Sequence, residues 1–297
     1  MSLRSERTKW VMFLPCSDVV AEQRHVMDLV YGVFCLETAG ISPQDIFIYI
    51  DSPNQNYNGF FGLASSHPYV SQPSANFFTD LTQNDYSNLV MFVSGHGSPH
   101  GMDGPQPITP NRLLNALKQT PNLNNAVIYL GQCFAGTFNY INAGRGNGSG
   151  PEIIIAGATN LHESLSLSTT EKFQAMEFPW YANVFLLHVF KWMSSPSDVD
   201  GDGMFTVMDS YKHAGMWSNY YNKGYKTNGF MRIVDAHHEY KRLKAIADVD
   251  TGDMAVNAQN TLECKAKYDI YISQLDLHYI HQESWILNSR PAQSIEF

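Results

Sequence analysis

Two stretches combine residue types that can do chemistry: Val93-Ser94-Gly95-His96-Gly97 and Leu130-Gly131-Gln132-Cys133-Phe134-Ala135-Gly136. Each ends an apolar run in one reactive side chain bracketed by small residues. A thiol is only slightly ionised at neutral pH, and a neighbouring imidazole either removes its proton or holds the thiolate as an ion pair. Gly97 permits close backbone approach, and its amide with that of Cys133 would donate to an oxyanion as an acyl intermediate forms. Either half alone is weak, because a cysteine ending a buried strand is more often an inert small hydrophobe. The joint pattern carries the expectation. His100-Gly101 repeats the pair beyond Pro99 and ranks second as a base.

A second motif is Asp198-Val199-Asp200-Gly201-Asp202-Gly203-Met204-Phe205-Thr206-Val207-Met208-Asp209. It fits a calcium loop, with Asp198, Asp200, Asp202, the Met204 carbonyl, Thr206 and Asp209 as ligands and a structural role for the ion. The last ligand is the shorter Asp rather than Glu. The competing reading is a solvated acidic turn capping a helix that begins near Thr206. The echo at Asp248–Asp253 has one ligand out of step and reads as a turn. His162 beside Glu163, and His237-His238 beside Glu239, lack a third ligand at a convincing spacing, so no zinc site is read there.

The elements that must position the His and the Cys are legible as an alternation of short apolar runs and helical patterns from Trp10 to about Ala214, the signature of βαβ units. Strands are predicted at Trp10–Leu14, Asp45–Ile50, Asn88–Ser94, Ala126–Leu130 and Glu152–Ala156, each a near-continuous apolar run as in a sheet covered on both faces. A first helix follows from Val19, Gln23, Val26, Met27, Val30, Val33 and Phe34, closed by Gly40. Thr109-Pro110 opens a second that ends near Thr120-Pro121, and Phe185, Leu186, Val189, Phe190 and Met193 mark a third. Asp51–Asp85 and Asn142–Pro151 read as loops. In such sheets ligands bind outside the carboxyl ends of the strands, which is where His96 and Cys133 fall. The expected division is residues 1–214 as the α/β domain and 215–297 as a C-terminal extension, in which Tyr268–Ile272 and His281–Leu287 would add strands or cover the site.

The chain has 297 residues, 44% of them hydrophobic, enough to bury a sizeable core. Its net charge of −9 argues against nucleic-acid and anionic-membrane partners. Residues 211–246 are locally basic and rich in tyrosine, which reads as a solvated face. Four separated cysteines, Cys16, Cys35, Cys133 and Cys264, form no disulfide scaffold. No export signal or membrane-spanning run is seen, and a cytoplasmic location is expected.

Three motifs together resemble the caspase-like cysteine peptidases, best the legumain and GPI-transamidase branch: Ser94-Gly95-His96-Gly97, Val127-Ile128-Tyr129-Leu130-Gly131-Gln132-Cys133, and Ala156-Gly157-Ala158-Thr159-Asn160-Leu161-His162-Glu163-Ser164. Trp180-Tyr181 falls where that branch has a Trp-Tyr before a helix. The resemblance covers about residues 10 to 195 and implies a doubly wound, mostly parallel sheet in an α/β/α sandwich. It implies that Cys133 is the nucleophile, His96 the general base and acid, and a peptide bond the substrate. Legumain has an Asn after its first strand that orients the His, whereas this chain has Leu14-Pro15-Cys16-Ser17-Asp18, so only the dyad carries over. Legumain also has Glu two residues before the nucleophile, where this chain has Gly131. Pockets in the clan that take Arg or Lys are lined with acids, and Asp18, Glu163 or Asp103 fits that part beside Ser164. Caspases are activated by cleavage after the nucleophile, which makes Arg145 a candidate self-cleavage site. The rivals are a legumain-type transpeptidase or transamidase, and a caspase-like scaffold with an unreactive Cys133.

Overall fold

Strands buried on both faces need apolar residues at nearly every position, and the predicted runs meet that demand away from their ends. A computed structural model describes residues 2–18, 20–51, 57–145, 150–173 and 176–297. In chain order the elements are β1 (Thr8–Leu14), α1 (Gln23–Thr38), β2 (Ile46–Ile50), α2 (Asn58–Phe61), β3 (Ser71–Gln72), α3 (Ser74–Leu81), β4 (Asn88–Val93), β5 (Gly97–Ser98), β6 (Gly101–Met102), α4 (Pro110–Gln119), β7 (Asn125–Leu130), β8 (Glu152–Gly157), β9 (Ser166–Phe173), β10 (Met176–Asn183), α5 (Val184–Ser194), α6 (Val207–Ala247), α7 (Met254–Tyr279), β11 (Trp285–Leu287) and α8 (Ser289–Ala292). Seven strands make one sheet in the order β11-β8-β7-β4-β1-β2-β3. Every neighbour is parallel except β11, which runs antiparallel on β8. The fold is thus a mixed α/β one around a mostly parallel sheet flanked by helices.

The side-chain period of two divides each central strand between two cores. Trp10, Met12 and Leu14 of β1, Val90 and Phe92 of β4, and Val127 and Tyr129 of β7 pack with α1 and α5. Val11 and Phe13, Leu89, Met91 and Val93, and Ala126, Ile128 and Leu130 point to the other face, with Phe77 and Leu81 of α3 and Leu113 and Leu117 of α4. Helix α4 starts as its sequence predicts: the Thr109 side chain accepts from the Arg112 amide at 3.2 Å, and Pro110 takes the first helical position. The run after β1 becomes helical only at Gln23, and Val19 lies outside the described residues.

Two expectations need correction. The stretch 51–85 is not one loop: it holds α2, the edge strand β3 and α3. Phe77 and Leu81, four residues apart, bury one face of α3, a spacing masked by the polar residues between them. Tyr268–Ile272 lies within α7, not a strand. Its aromatics keep helical spacing and meet those of α6, with Tyr240 stacked on Tyr271 (centroids 6.1 Å apart) and 5.1 Å from Tyr268. The segment ending at Leu287 does add a strand, β11.

The chain divides into two compact units, Met1–Asn219 with Gln282–Phe297, and Tyr220–His281. The first contains the whole sheet. The second is built from the rest of α6 and from α7, and most of the basic, tyrosine-rich stretch runs along it. Among the described residues no helix is long and apolar enough to cross a membrane.

Candidate active site

The parallel pairing of β4 with β7 decides where the two reactive residues go. Val93 is in register with Leu130, and the Gly131 amide extends the pairing to the Val93 carbonyl at 2.9 Å. The chain therefore leaves both strands over the same edge of the sheet. Strand β1 flanks β4 on its other side, and the Ser94 amide donates to the Phe13 carbonyl at 3.0 Å. Since β1 goes on to β2 in the opposite direction, the gap between β1 and β4 is the point where the strand order reverses. The β1–α1 connection, β4–β5 turn and β7 tip meet around it.

Glycine at 97 is a steric requirement: an added Cβ would lie 2.1 Å from the Cys133 carbonyl oxygen, so the two tips approach backbone to backbone. The Asp103 amide donates to the His96 carbonyl at 3.0 Å, which makes Gly97 and Met102 a non-hydrogen-bonded pair of the β5–β6 ladder and leaves the Gly97 amide out of it. Past Cys133, Phe134 adopts a left-handed conformation (φ 54°), and its amide donates to the His162 carbonyl at 2.7 Å. That sharp exit turns the chain at Cys133. Such backbone is uncommon for a residue with a side chain and is held here by the loop after β8.

His96 is 42% exposed, and its Nε2 lies 2.7 Å from Glu22 Oε1. The bond fixes the ring and leaves Nδ1 as the nitrogen available for proton exchange. Glu22 is held by Arg24, whose Nε donates to its other oxygen at 2.6 Å. Arg24 first, and His96 after it, draw the Glu22 carboxyl down to about 2, so it is ionised throughout the range in which proteins work. Arg24 also reaches Ser166 Oγ at 3.1 Å.

Cys133 is half-buried, and its sulfur accepts from the Ser164 amide at 3.3 Å. Burial pushes the thiol above its ordinary value; Glu163 adds to the shift, while the Ser164 amide and the Arg24 charge oppose it. The Cys133 amide faces its own sulfur. Asn183 clamps this side, donating to the Gly131 carbonyl at 2.6 Å and to Ser164 Oγ at 3.0 Å, while its own carbonyl caps α5. No hydrogen bond joins the His96 ring to the sulfur among the described residues.

His96, Gly97, Cys133, Glu163 and Ser164 thus come together at one edge of the sheet. Asp18 is exposed in the β1–α1 connection, with no bond to His96 or Cys133 among the described residues. Asp103 is engaged with Ser17, whose amide and hydroxyl donate to it at 3.0 and 2.8 Å. His100 sits on the exposed β5–β6 turn. Arg145 pairs with Glu152 at 3.2 Å, and residues 146–149 after it lie outside the described residues. The residues that sequence reasoning missed are Glu22, Arg24 and His25.

In the acidic loop, Asp198, Asp200 and Asp202 bring carboxylate oxygens within 4.8 Å of one another. Asp209 does not join them. Its oxygens accept from the Val199 and Thr206 amides at 2.8 and 2.9 Å, and with Thr206 it forms a reciprocal cap on α6. Lys212 pairs with Asp200 at 2.6 Å.

No protein-family model matches the sequence, and no curated protein matches it either.

Proposed function

We propose that the chain is a caspase-like cysteine endopeptidase that cleaves peptide bonds through a thioester on Cys133. The observation that carries the reading is the Glu22–His96 hydrogen bond beside the Gly97–Cys133 contact, at the carboxyl ends of adjacent parallel strands. His96 Nδ1 takes the thiol proton as Sγ attacks the scissile carbonyl carbon. The oxyanion accepts from the Gly97 and Cys133 amides. The C–N bond breaks as the imidazolium gives its proton to the leaving amine. Water, losing a proton to His96, then hydrolyses the thioester and frees Cys133. Glu22 is a positioning residue: it orients the ring and stabilises its charged form.

The raised thiol and the missing sulfur–imidazole bond favour a second reading, a scaffold with an unreactive cysteine. An acyloxymethyl ketone peptide probe separates the two. As a peptidase the native chain is labelled at Cys133 ahead of buried Cys16 and Cys35 and half-buried Cys264, and loses the label on His96→Ala; equal labelling of Cys133 and Cys264 would sink the reading. Product masses with and without an added amine then distinguish hydrolysis from transamidation.

Calcium in the acidic loop is a further part of the proposal. The three converging carboxylates fit a hard cation, whereas Asp209 is spent on the helix cap. The site is therefore proposed as Asp198, Asp200 and Asp202 with the Met204 carbonyl, in a structural role.

A further inference from the structure

His25 lies directly behind His96, and the mechanism does not use it. The two rings stand nearly perpendicular (82°) with centroids 5.0 Å apart, and His25 is only 6% exposed. Its surroundings fix its tautomer. Ser94 Oγ donates to Asp28 Oδ2 at 2.9 Å, so at 3.2 Å it accepts from His25 Nδ1–H. Asp28 is itself anchored, its Oδ1 accepting from Trp180 Nε1 at 3.0 Å and from the Asn183 amide at 3.1 Å. Nε2 is left as a buried lone pair with no partner among the described residues. Buried acceptors are ordinarily satisfied, and each exception calls for a reason.

The reason lies in what surrounds that nitrogen. Glu22, His25 and His96 each bring one donor atom to a common point, all within 4.8 Å of one another. Two imidazoles and a carboxylate are the donor set of a borderline divalent ion such as zinc, with a fourth position open to water. The chain Asp28–Ser94–His25 is the outer shell that such a ligand requires, a carboxylate acting through a hydroxyl to hold the imidazole with Nε2 forward. Glu22 and His96, partly exposed and bonded to each other at 2.7 Å, already face the fixed nitrogen. We infer that Glu22, His25 and His96 form a binding site for a zinc-class divalent ion, and that occupancy withdraws His96 from Cys133. The inhibitory half rests on the peptidase reading, whereas the binding half does not.

The test uses the full chain carrying Cys133→Ala, freed of metal and titrated with Zn²⁺ alone in excess Mg²⁺, which saturates hard carboxylate sites. One equivalent is expected to bind, with affinity reduced at least about tenfold by His25→Ala and by Glu22→Gln. Glu22 is on the surface, so its variant decides the matter even where His25→Ala fails to fold. Cobalt added to the chain with Cys133 intact is expected to give visible d–d bands without the sulfur-to-cobalt charge-transfer band. No zinc binding, binding indifferent to both variants, or a charge-transfer band that Cys133→Ala abolishes would each overturn the site. For the inhibitory half, Zn²⁺ is expected to block probe labelling of Cys133, chelator to restore it, and His25→Ala to diminish the ratio between the two states. Zinc that binds through these residues without slowing labelling would overturn inhibition and leave the site standing. Failure of the probe to label Cys133 with or without chelator would instead count against the peptidase reading.

Discussion

The two strand tips that make the site are prepared to different degrees. On the β4 side the ring is held in place: His96 is oriented by Glu22, and Glu22 is kept ionised by Arg24. On the β7 side burial raises the thiol above its ordinary value, and its sulfur accepts from the Ser164 amide rather than bonding to the imidazole. Under the proposed mechanism, an oriented imidazole beside a thiol raised by burial makes thiolate formation part of the reaction rather than of the resting state.

Replacing either tip outright tests that contrast most severely. Cys133→Ala is expected to reduce peptide hydrolysis by about 10³-fold or more, with the fold unchanged by circular dichroism. Glu22→Gln, which keeps the shape and removes the charge, should reduce kcat by about 10- to 100-fold while leaving KM nearly constant. Glu22→Asp, which keeps the charge, should recover part of that rate, which a merely structural residue would not do. On the other side, Asn183→Ala removes the clamp on Gly131 and Ser164 together with the cap of α5. The expected cost is about 1–3 kcal/mol in denaturant unfolding, with kcat falling as well.

The pH dependence of the thiol itself is a smaller effect and carries a definite sign. Because burial and Glu163 raise the Cys133 thiol above its ordinary value, iodoacetamide alkylation should climb about tenfold per pH unit through neutrality and keep rising beyond the ordinary thiol range. Glu163→Gln removes a negative charge, lowers the thiol toward its ordinary value, and should raise the rate at neutral pH by a few-fold. A plateau below neutrality would mean that the resting ion pair exists after all. Calcium has the least effect on the contrast, since its loop is remote in sequence from both tips. At a hundredfold excess over its Kd it should add about 2.7 kcal/mol, read as a rise in Tm that Asp200→Asn diminishes.

The strands, and the neighbouring tips that carry His96 and Cys133, were legible because two-faced burial leaves long apolar runs, and a strand that ends in Gly-His-Gly or Gly-Gln-Cys announces a turn. Glu22 was not legible from its neighbours, since Glu-Gln-Arg-His at a helix start reads as solvated polarity. The signal lay in topology. Once β4 is placed beside β1, the chain leaving Leu14 must pass the His96 turn, and the first ionisable side chains of α1 become its neighbours. Residues 51–85 read as a loop because α3 buries only two apolar positions, Phe77 and Leu81, and Tyr268–Ile272 read as a strand because Tyr268, Ile270 and Ile272 alternate along it.

β11 carries one more consequence. Its residues come after α7 in sequence, yet they complete the sheet's edge beside β8, with Trp285 Nε1 donating to the Thr159 carbonyl at 2.8 Å. Tyr220–His281 is therefore an insert spliced into the sheet unit rather than an appendage to it. Excision with a short joint from Asn219 to Gln282 would leave every strand present, whereas simple truncation at the same point would strip the edge.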